Sequence, residues 1–138
     1  MNRFSIIGFG RFGNMLHQLL VKGFEVDVFD IKPVNQSDVN AVSLEDVLKN
    51  DTIFIAVPIR DFSGLMKDLS TKINGKKTLI DVCSVKVHPK QMMLEHLPEQ
   101  IDIIATHPLF GPDSLQERGS VMTMEKVRDT HDLSLIHI

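Results

Sequence analysis

Residues 4–13 read FSIIGFGRFG, an apolar run followed by three glycines with the spacing GxGxxG. Between a strand and a helix, this motif binds the pyrophosphate of a dinucleotide. The first glycine makes the tight turn, the second lets the backbone approach the phosphates, and the third lets the helix pack against the strand. Phe4–Ile7 is predicted to be the strand, and Phe12–Val21 carries apolar residues at helical spacing. The residues predicted to bind the cofactor here are Gly8, Phe9, Gly10, Arg11, Phe12 and Gly13.

Two alternatives to this interpretation remain open. A glycine-rich turn can exist without any ligand, and Arg11 can be exposed to solvent instead of lying over the pyrophosphate. The context of the motif favours the dinucleotide, because a second β-rich run, Glu25–Phe29, follows the predicted helix.

A carboxylate follows that second predicted strand. Asp30 stands 22 residues after Gly8, where an acidic side chain accepts hydrogen bonds from the ribose hydroxyls of the adenosine and repels a 2′-phosphate. The sequence therefore favours NAD over NADP as the cofactor. Lys32 is a nearby base that weakens the preference, and a solvated loop carboxylate is the alternative interpretation of Asp30.

Short β-rich runs and longer helical stretches alternate through the rest of the chain. Further strands are predicted over Thr52–Val57, Lys77–Val82 and Ile101–Thr106, and further helices over 43–49, Ile59–Ile73 and Pro89–Leu97. The stretch 30–42 is predicted to be a loop or a degenerate crossover, and 111–132 fits no element. The alternation predicts an α/β fold of the Rossmann type, a doubly wound and mostly parallel sheet, within one domain over residues 1–132.

The carboxyl ends of parallel strands share one edge of the sheet, where ligands bind. Val57 and Pro58 are predicted to line the cofactor there, although Pro58 also suits the start of a helix. Ser84, Lys86 and His107 follow the next strands. His107 can accept a proton near neutral pH, so it is the candidate catalytic base. Ser84 either assists it or caps a loop, and Lys86 contacts a substrate carboxylate or supports the loop.

Composition excludes several function classes. A formal charge of -3 on 138 residues gives no support to nucleic-acid binding, and no apolar run approaches the roughly 18 residues of a membrane span. Cys83 is the single cysteine, which we interpret as a small buried residue. It allows no internal disulfide, so a reducing cytoplasm is expected. No motif for a metal is found.

Three segments together resemble the prephenate and arogenate dehydrogenases of tyrosine biosynthesis: GFGRFG, DVCSVK and THPLFGPDS. The resemblance covers residues 3–114, and its SVK and HPxFGP parts are closest to the plant-type arogenate dehydrogenases. It implies an oxidative decarboxylation of prephenate or arogenate with hydride transfer to the nicotinamide. His107 would then assist deprotonation of the ring hydroxyl, with Ser84 in support. Plant-type members that use NADP carry a Ser-Arg pair where this sequence has Asp30-Ile31, which again favours NAD.

The family also has a helical second domain that completes the substrate pocket and builds a homodimer. This chain has no room for it, so we expect a truncated protein that binds NAD without turnover. The last six residues, 133–138, can be encoded by a transposon end used as a sequencing adapter and are interpreted as a foreign tail. A short amphipathic C-terminal tail is the alternative. Two other functions remain open: another small-substrate dehydrogenase, such as a β-hydroxyacid dehydrogenase or an imine reductase, and a non-catalytic NAD-sensing domain.

Overall fold

Strands and helices alternate along the chain, as the hydrophobic pattern predicts. The structure is a computed structural model that describes residues 3–82, 87–108 and 122–128, the last of these and residues 87, 107 and 108 by their backbone alone. Its strands are β1 (Arg3–Ile7), β2 (Glu25–Phe29), β3 (Asn40–Ala41), β4 (Thr52–Ile55), β5 (Thr78–Asp81), β6 (Asp102–Pro108) and β7 (Met122–Arg128). Its helices are α1 (Arg11–Leu20), α2 (Leu44–Val47), α3 (Ile59–Lys72) and α4 (Val87–His96).

All of these strands form one sheet, in the order β3-β2-β1-β4-β5-β6-β7. The first six are parallel to their neighbours, whereas β7 pairs with β6 in the antiparallel direction. This arrangement confirms the predicted doubly wound, mostly parallel Rossmann sheet. The chain leaves β1 toward β2 on one side and later returns to place β4 on the other side, so the strand order reverses between β1 and β4.

A separate apolar core lies on each face of the sheet. Leu16 and Leu20 of α1 pack on one face with Ile6 and Val28. The other face carries α2, α3 and α4, whose buried side chains there are Val47, Phe62, Met66, Leu69 and Met93. Side chains on both faces of the central strands are withdrawn from water, which explains their continuous apolar runs. Full burial of one such side chain contributes roughly 1.5–3 kcal/mol.

A two-residue strand corrects the prediction that 30–42 is only a loop. β3 pairs in parallel with β2, with Asn40 opposite Asp27. The Asn40 Nδ2 donates to Asp27 Oδ1 at 2.6 Å, and Asn50 Nδ2 donates to Asp27 Oδ2 at 2.9 Å. Side-chain hydrogen bonds to a buried carboxylate therefore fix a strand that is too short and too polar to show a hydrophobic period.

Several boundaries also differ from the predicted ones. β4 and β5 are shorter than predicted, and α4 begins at Val87, two residues before Pro89. β6 continues through His107 to Pro108, because β7 pairs with it over that length. No prediction covered β7, which lies in the stretch that fitted no element. The division into a domain over 1–132 and a tail over 133–138 stays a prediction, since the tail lies outside the described residues.

Candidate cofactor and catalytic site

The carboxyl ends of five strands lie side by side. Ile7 is in register with both Phe29 and Ile55, Ile55 with Asp81, and Asp81 with Ala105. The residues that follow these strands therefore form one row along the edge of the sheet. The point where the strand order reverses, between β1 and β4, is the place where open α/β sheets bind their ligands.

The glycine loop stands at that reversal, and each of its glycines meets different surroundings. Gly8 has φ +105°, and an added Cβ would lie 2.5 Å from the carbonyl oxygen of Ala56. A Cβ on Gly13 would overlap the carbonyl oxygen of Gly8. Gly10, in contrast, is exposed, and an added Cβ would meet nothing within 4 Å. Gly8 and Gly13 thus allow tight packing, whereas Gly10 leaves an open space beside the backbone.

Helix α1 begins at Arg11, directly after Gly10, and has no acidic residue in its first turn. The first N–H groups of a helix have no partner within the helix, and the helix dipole adds partial positive charge there. This end of α1 therefore suits a phosphate group. Arg11 is exposed at the same position, while Phe9 and Phe12 are half-buried and pack against the core on the α1 face.

Asp30 is tied to the glycine loop by its side chain. Its Oδ2 accepts the backbone N–H of Phe9 at 2.6 Å, and its Oδ1 accepts the backbone N–H of Lys32 at 2.9 Å. A carboxylate offers about four acceptor positions, so each oxygen keeps room for one further donor. Both bonds fix the direction of the carboxylate.

Ile31 is a candidate site residue that the sequence did not reveal. It directly follows Asp30 and is 85% exposed, the most exposed of the large apolar side chains that the structure describes. An apolar side chain beside a polar ligand site is a candidate wall for the flat face of a bound ring. Its only sequence signal is its position after Asp30.

His17 is the second residue that sequence reasoning passed over. It lies on α1 and is only 4% exposed, and its ring stands at 81° to the ring of Phe9 with 5.8 Å between centroids. Burial lowers the pKa of His17, and the carboxylate of Asp38 opposes this by raising it. Its location within the first helix gave no hint of contact with the glycine loop.

Val57 and Pro58 follow β4 in the row of strand ends. Val57 is half-buried and packs against the core of the α3 face. Pro58 is exposed and is the residue before α3, accepting a hydrogen bond from the N–H of Asp61 at 2.9 Å. The expectation that Pro58 starts a helix is therefore confirmed, whereas contact of either residue with a cofactor stays a prediction.

The predicted catalytic residues are only partly within the described structure. Ser84 and Lys86 lie outside it, as does Cys83. His107 was expected to follow a strand, but it lies inside β6, where its backbone is paired with Thr123. Its backbone is two residues beyond Ala105 and so close to the end of the strand. The grouping of Ser84, Lys86 and His107 therefore stays a prediction.

The sequence also did not reveal a side-chain hydrogen bond between β5 and β6. Thr106 is 1% exposed, and its Oγ1 donates to the carbonyl oxygen of Asp81 at 2.7 Å. Thr106 immediately precedes His107, and Asp81 precedes Ser84 by three residues. This hydrogen bond therefore joins the two strand ends from which the predicted catalytic residues come.

Within the described ranges, no three His, Cys, Asp or Glu side chains gather as a metal would require. No helix among the same residues is long and apolar enough to cross a bilayer.

The chain is similar to arogenate dehydrogenases in sequence. Arogenate dehydrogenase 1, chloroplastic, from Arabidopsis thaliana is 30% identical over 139 residues, which cover 91% of this chain and 22% of that protein. Arogenate dehydrogenase 2, chloroplastic, from the same plant is 28% identical over 138 residues, covering 91% of this chain and 38% of that protein. The chain thus spans well under half the length of these relatives.

Solved structures show the same fold. Prephenate dehydrogenase from Aquifex aeolicus, in complex with hydroxyphenyl propionate and NAD+, superposes with a TM-score of 0.76 at 22% identity, covering 98% of this chain and 55% of that one. An imine reductase from Pseudomonas sp. gives 0.74 at 16% identity, covering 89% and 46%. Likeness at this level of identity establishes the fold alone.

The decisive comparison is with a family model described as prephenate dehydrogenase, nucleotide-binding domain, which matches residues 26–136. The match begins after the glycine loop and includes the DVCSVK and THPLFGPDS segments. Because it covers most of the chain, this protein belongs to the prephenate dehydrogenase family and carries its nucleotide-binding domain.

Proposed function

We propose that this chain binds NAD at the carboxyl edge of its sheet, as the cofactor domain of a dehydrogenase that acts on prephenate or arogenate. The observation that carries the proposal is the open space at Gly10, at the start of α1 and beside the oriented carboxylate of Asp30. The family supports the class of substrate, and the relatives named above are arogenate dehydrogenases.

The residues present fit a dinucleotide. The backbone at Gly10 has room for a pyrophosphate, and the amino end of α1 has no acidic residue to repel it. Asp30 has an acceptor position free on each oxygen for a ribose hydroxyl, and its charge would repel a 2′-phosphate. Ile31 offers apolar surface next to it. These features favour NAD over NADP.

The proposed reaction is an oxidative decarboxylation. Bound NAD supplies the acceptor for the hydride that leaves the ring carbon bearing the hydroxyl. His107 accepts the proton of that hydroxyl, Ser84 orients His107 or the same oxygen, and Lys86 binds a substrate carboxylate. The ring carboxylate then leaves as carbon dioxide, and the electron pair of the broken bond stays in the ring, which becomes aromatic. The phenolate oxygen takes back the proton that His107 holds. Thr106 supports this arrangement by holding the end of β6 against β5.

Location and assembly are also part of the proposal. A reducing compartment such as the cytoplasm is supported by the single cysteine of the sequence. The homodimer and the helical second domain are proposed for the longer parent enzyme, because the resemblance to the family implies them. Fractionation of the source cells measures the location directly. Light scattering of the purified longer enzyme measures its assembly.

The test of cofactor binding is Gly10→Ala, titrated with NAD by calorimetry. Because its Cβ meets nothing in the free protein, the variant should melt within about 1 °C of the parent yet bind NAD on the order of tenfold more weakly or worse. Gly23→Ala is the matched control, since its Cβ also meets nothing within 4 Å and it lies beyond the end of α1. Equal NAD affinity in the parent and in Gly10→Ala would contradict the proposed site.

The catalytic part is tested with His107→Asn in the longer enzyme that includes the helical second domain, in assays with prephenate and with arogenate. We expect the rate to fall on the order of a hundredfold or more, with NAD affinity kept within about twofold. An unchanged rate would remove the role of His107, and a longer protein, with its second domain, that responds to NAD without turnover would favour a sensing domain instead.

A further inference from the structure

We propose that His17 is a positioning residue for the glycine loop. It acts through the ring of Phe9 on the hydrogen bond between the Phe9 N–H and Asp30. The cofactor consequence of this inference rests on the proposed function. Its structural part, the fixing of the loop, concerns the protein without cofactor and can be judged separately.

The geometry forms a continuous path of contacts from the helix to the carboxylate. The buried ring of His17, on α1, packs against the ring of Phe9 at 5.8 Å and 81°. The backbone N–H of the same Phe9 donates to Asp30 Oδ2 at 2.6 Å. Edge-to-face ring pairs are directional contacts, so the His17 ring restricts the rotation of Phe9. Because a side chain held in place limits the movement of its own backbone, the contact also restricts the direction of the Phe9 N–H that donates to Asp30.

A second observation concerns the charge state of His17. Its location under the loop withdraws the ring from water, which lowers its pKa, so the neutral ring is the form that packs against Phe9 at neutral pH. Two carboxylates bear on the pair. Asp38, in the segment between β2 and β3, raises the pKa of His17, and Asp30 holds the backbone of Phe9. Acid should therefore place a positive charge in this contact and loosen the loop.

Other histidines lack this placement. His88 is exposed and His96 is half-buried, both on α4 and remote in sequence from the glycine loop. Neither has a ring contact with a loop residue among those the structure describes. The inference therefore applies to His17 and not to histidines in general.

The experiment compares the parent with His17→Phe, which keeps an aromatic ring but cannot titrate, and His17→Leu, which removes the ring. Leu20→Val, a small change at a buried position of the same helix, controls for general loosening of α1. Two quantities are measured: NAD affinity by calorimetry between about pH 5.5 and about pH 8, and hydrogen exchange of the Phe9 amide without cofactor, by NMR.

We expect His17→Leu to bind NAD about fivefold more weakly, the factor that corresponds to one aromatic pair, and to exchange the Phe9 amide faster. His17→Phe should match the parent at neutral pH but lose the weakening of NAD binding in acid. Leu20→Val should resemble the parent in both measurements.

Two results would overturn the inference. One is a His17→Leu variant with the NAD affinity and Phe9 protection of the parent. The other is a His17→Phe variant with the full acid dependence of the parent. If the parent itself binds no NAD, the proposed function fails, and the Phe9 amide still decides whether His17 positions the loop.

Discussion

At the scale of single residues, the three glycines of the loop are required for three different physical reasons. Gly8 adopts a φ of +105°, which side chains rarely tolerate. Gly13 lies where any Cβ would overlap the backbone of Gly8. Gly10 is neither strained nor crowded in the free protein. Two of these positions thus serve the fold, and we attribute the third to the proposed ligand.

Asp30 carries the prediction about cofactor choice. Asp30→Asn keeps the size of the side chain but removes the charge, so repulsion of a 2′-phosphate is lost and the bonds to Phe9 and the ribose are weakened. We expect NAD affinity to fall on the order of tenfold and the ratio of NAD to NADP affinity to approach one. Calorimetric titration with both cofactors measures this.

Asp68→Asn is the matched control, because Asp68 is an exposed carboxylate on α3. It should leave both affinities within about twofold of the parent. If the two variants change cofactor preference equally, net charge and not the placement of Asp30 determines the choice.

The residues that sequence reasoning identified and missed differ in kind. The residues that were identified follow a spacing along the chain that reflects one local turn and one strand length: Gly8, Gly10, Gly13 and Asp30. His17 is recognisable only when α1 is folded back over β1, because its contact with Phe9 depends on packing and not on spacing.

At the scale of elements, the long apolar strands and amphipathic helices could be predicted, and the edge strands could not. β7, MTMEKVR, begins with apolar residues at every second position, but Val127 breaks this alternation. The register between β6 and β7 shifts at the same place, between Ile103 and Ile104. Such a bulge inserts an extra residue. It interrupts the period of two by which a strand can be recognised in the sequence.

The bond between the ends of β5 and β6 carries the prediction at this scale. Thr106→Val keeps the shape of the side chain but removes the hydroxyl that donates to the carbonyl oxygen of the buried Asp81. The free energy of unfolding should fall by about 1–2 kcal/mol, measured by urea denaturation.

Thr71→Val is its control, since Thr71 is exposed on α3 and donates only within its own helix. Its effect should stay within about 0.5 kcal/mol. A loss in Thr106→Val no larger than in Thr71→Val would mean that the bond does not hold the strand ends together.

At the scale of the whole molecule, the strand order places the glycine loop, the start of α1 and the Asp30 carboxylate together at one edge of the sheet. Stability of this assembly should depend on pH through His17, whose pKa in the folded protein lies below the ordinary 6.5. The unfolded chain then binds the proton more readily, so the contribution of His17 is complete above about pH 6.5 and is lost as the pH falls through its folded pKa.

Urea denaturation at a series of pH values measures this dependence. His17→Phe should lose less stability than the parent between about pH 6.5 and about pH 4.5. Asp46, whose pKa the Lys49 ammonium lowers below 3.8, acts only in stronger acid and does not obscure the result. Identical curves for the parent and His17→Phe would show that the burial of His17 has no energetic consequence.

The most direct test of NAD binding at the carboxyl edge of the sheet is a thermal-shift titration of the protein with NAD and, in parallel, with NADP. A ligand that binds the folded state alone raises its stability by RT ln(1 + [L]/Kd). We predict a melting temperature that rises with NAD concentration and a much smaller rise with NADP. If the protein melts cooperatively and neither cofactor raises its melting temperature, NAD binding at this edge is contradicted. A larger rise with NADP than with NAD would contradict the role of Asp30 in cofactor choice.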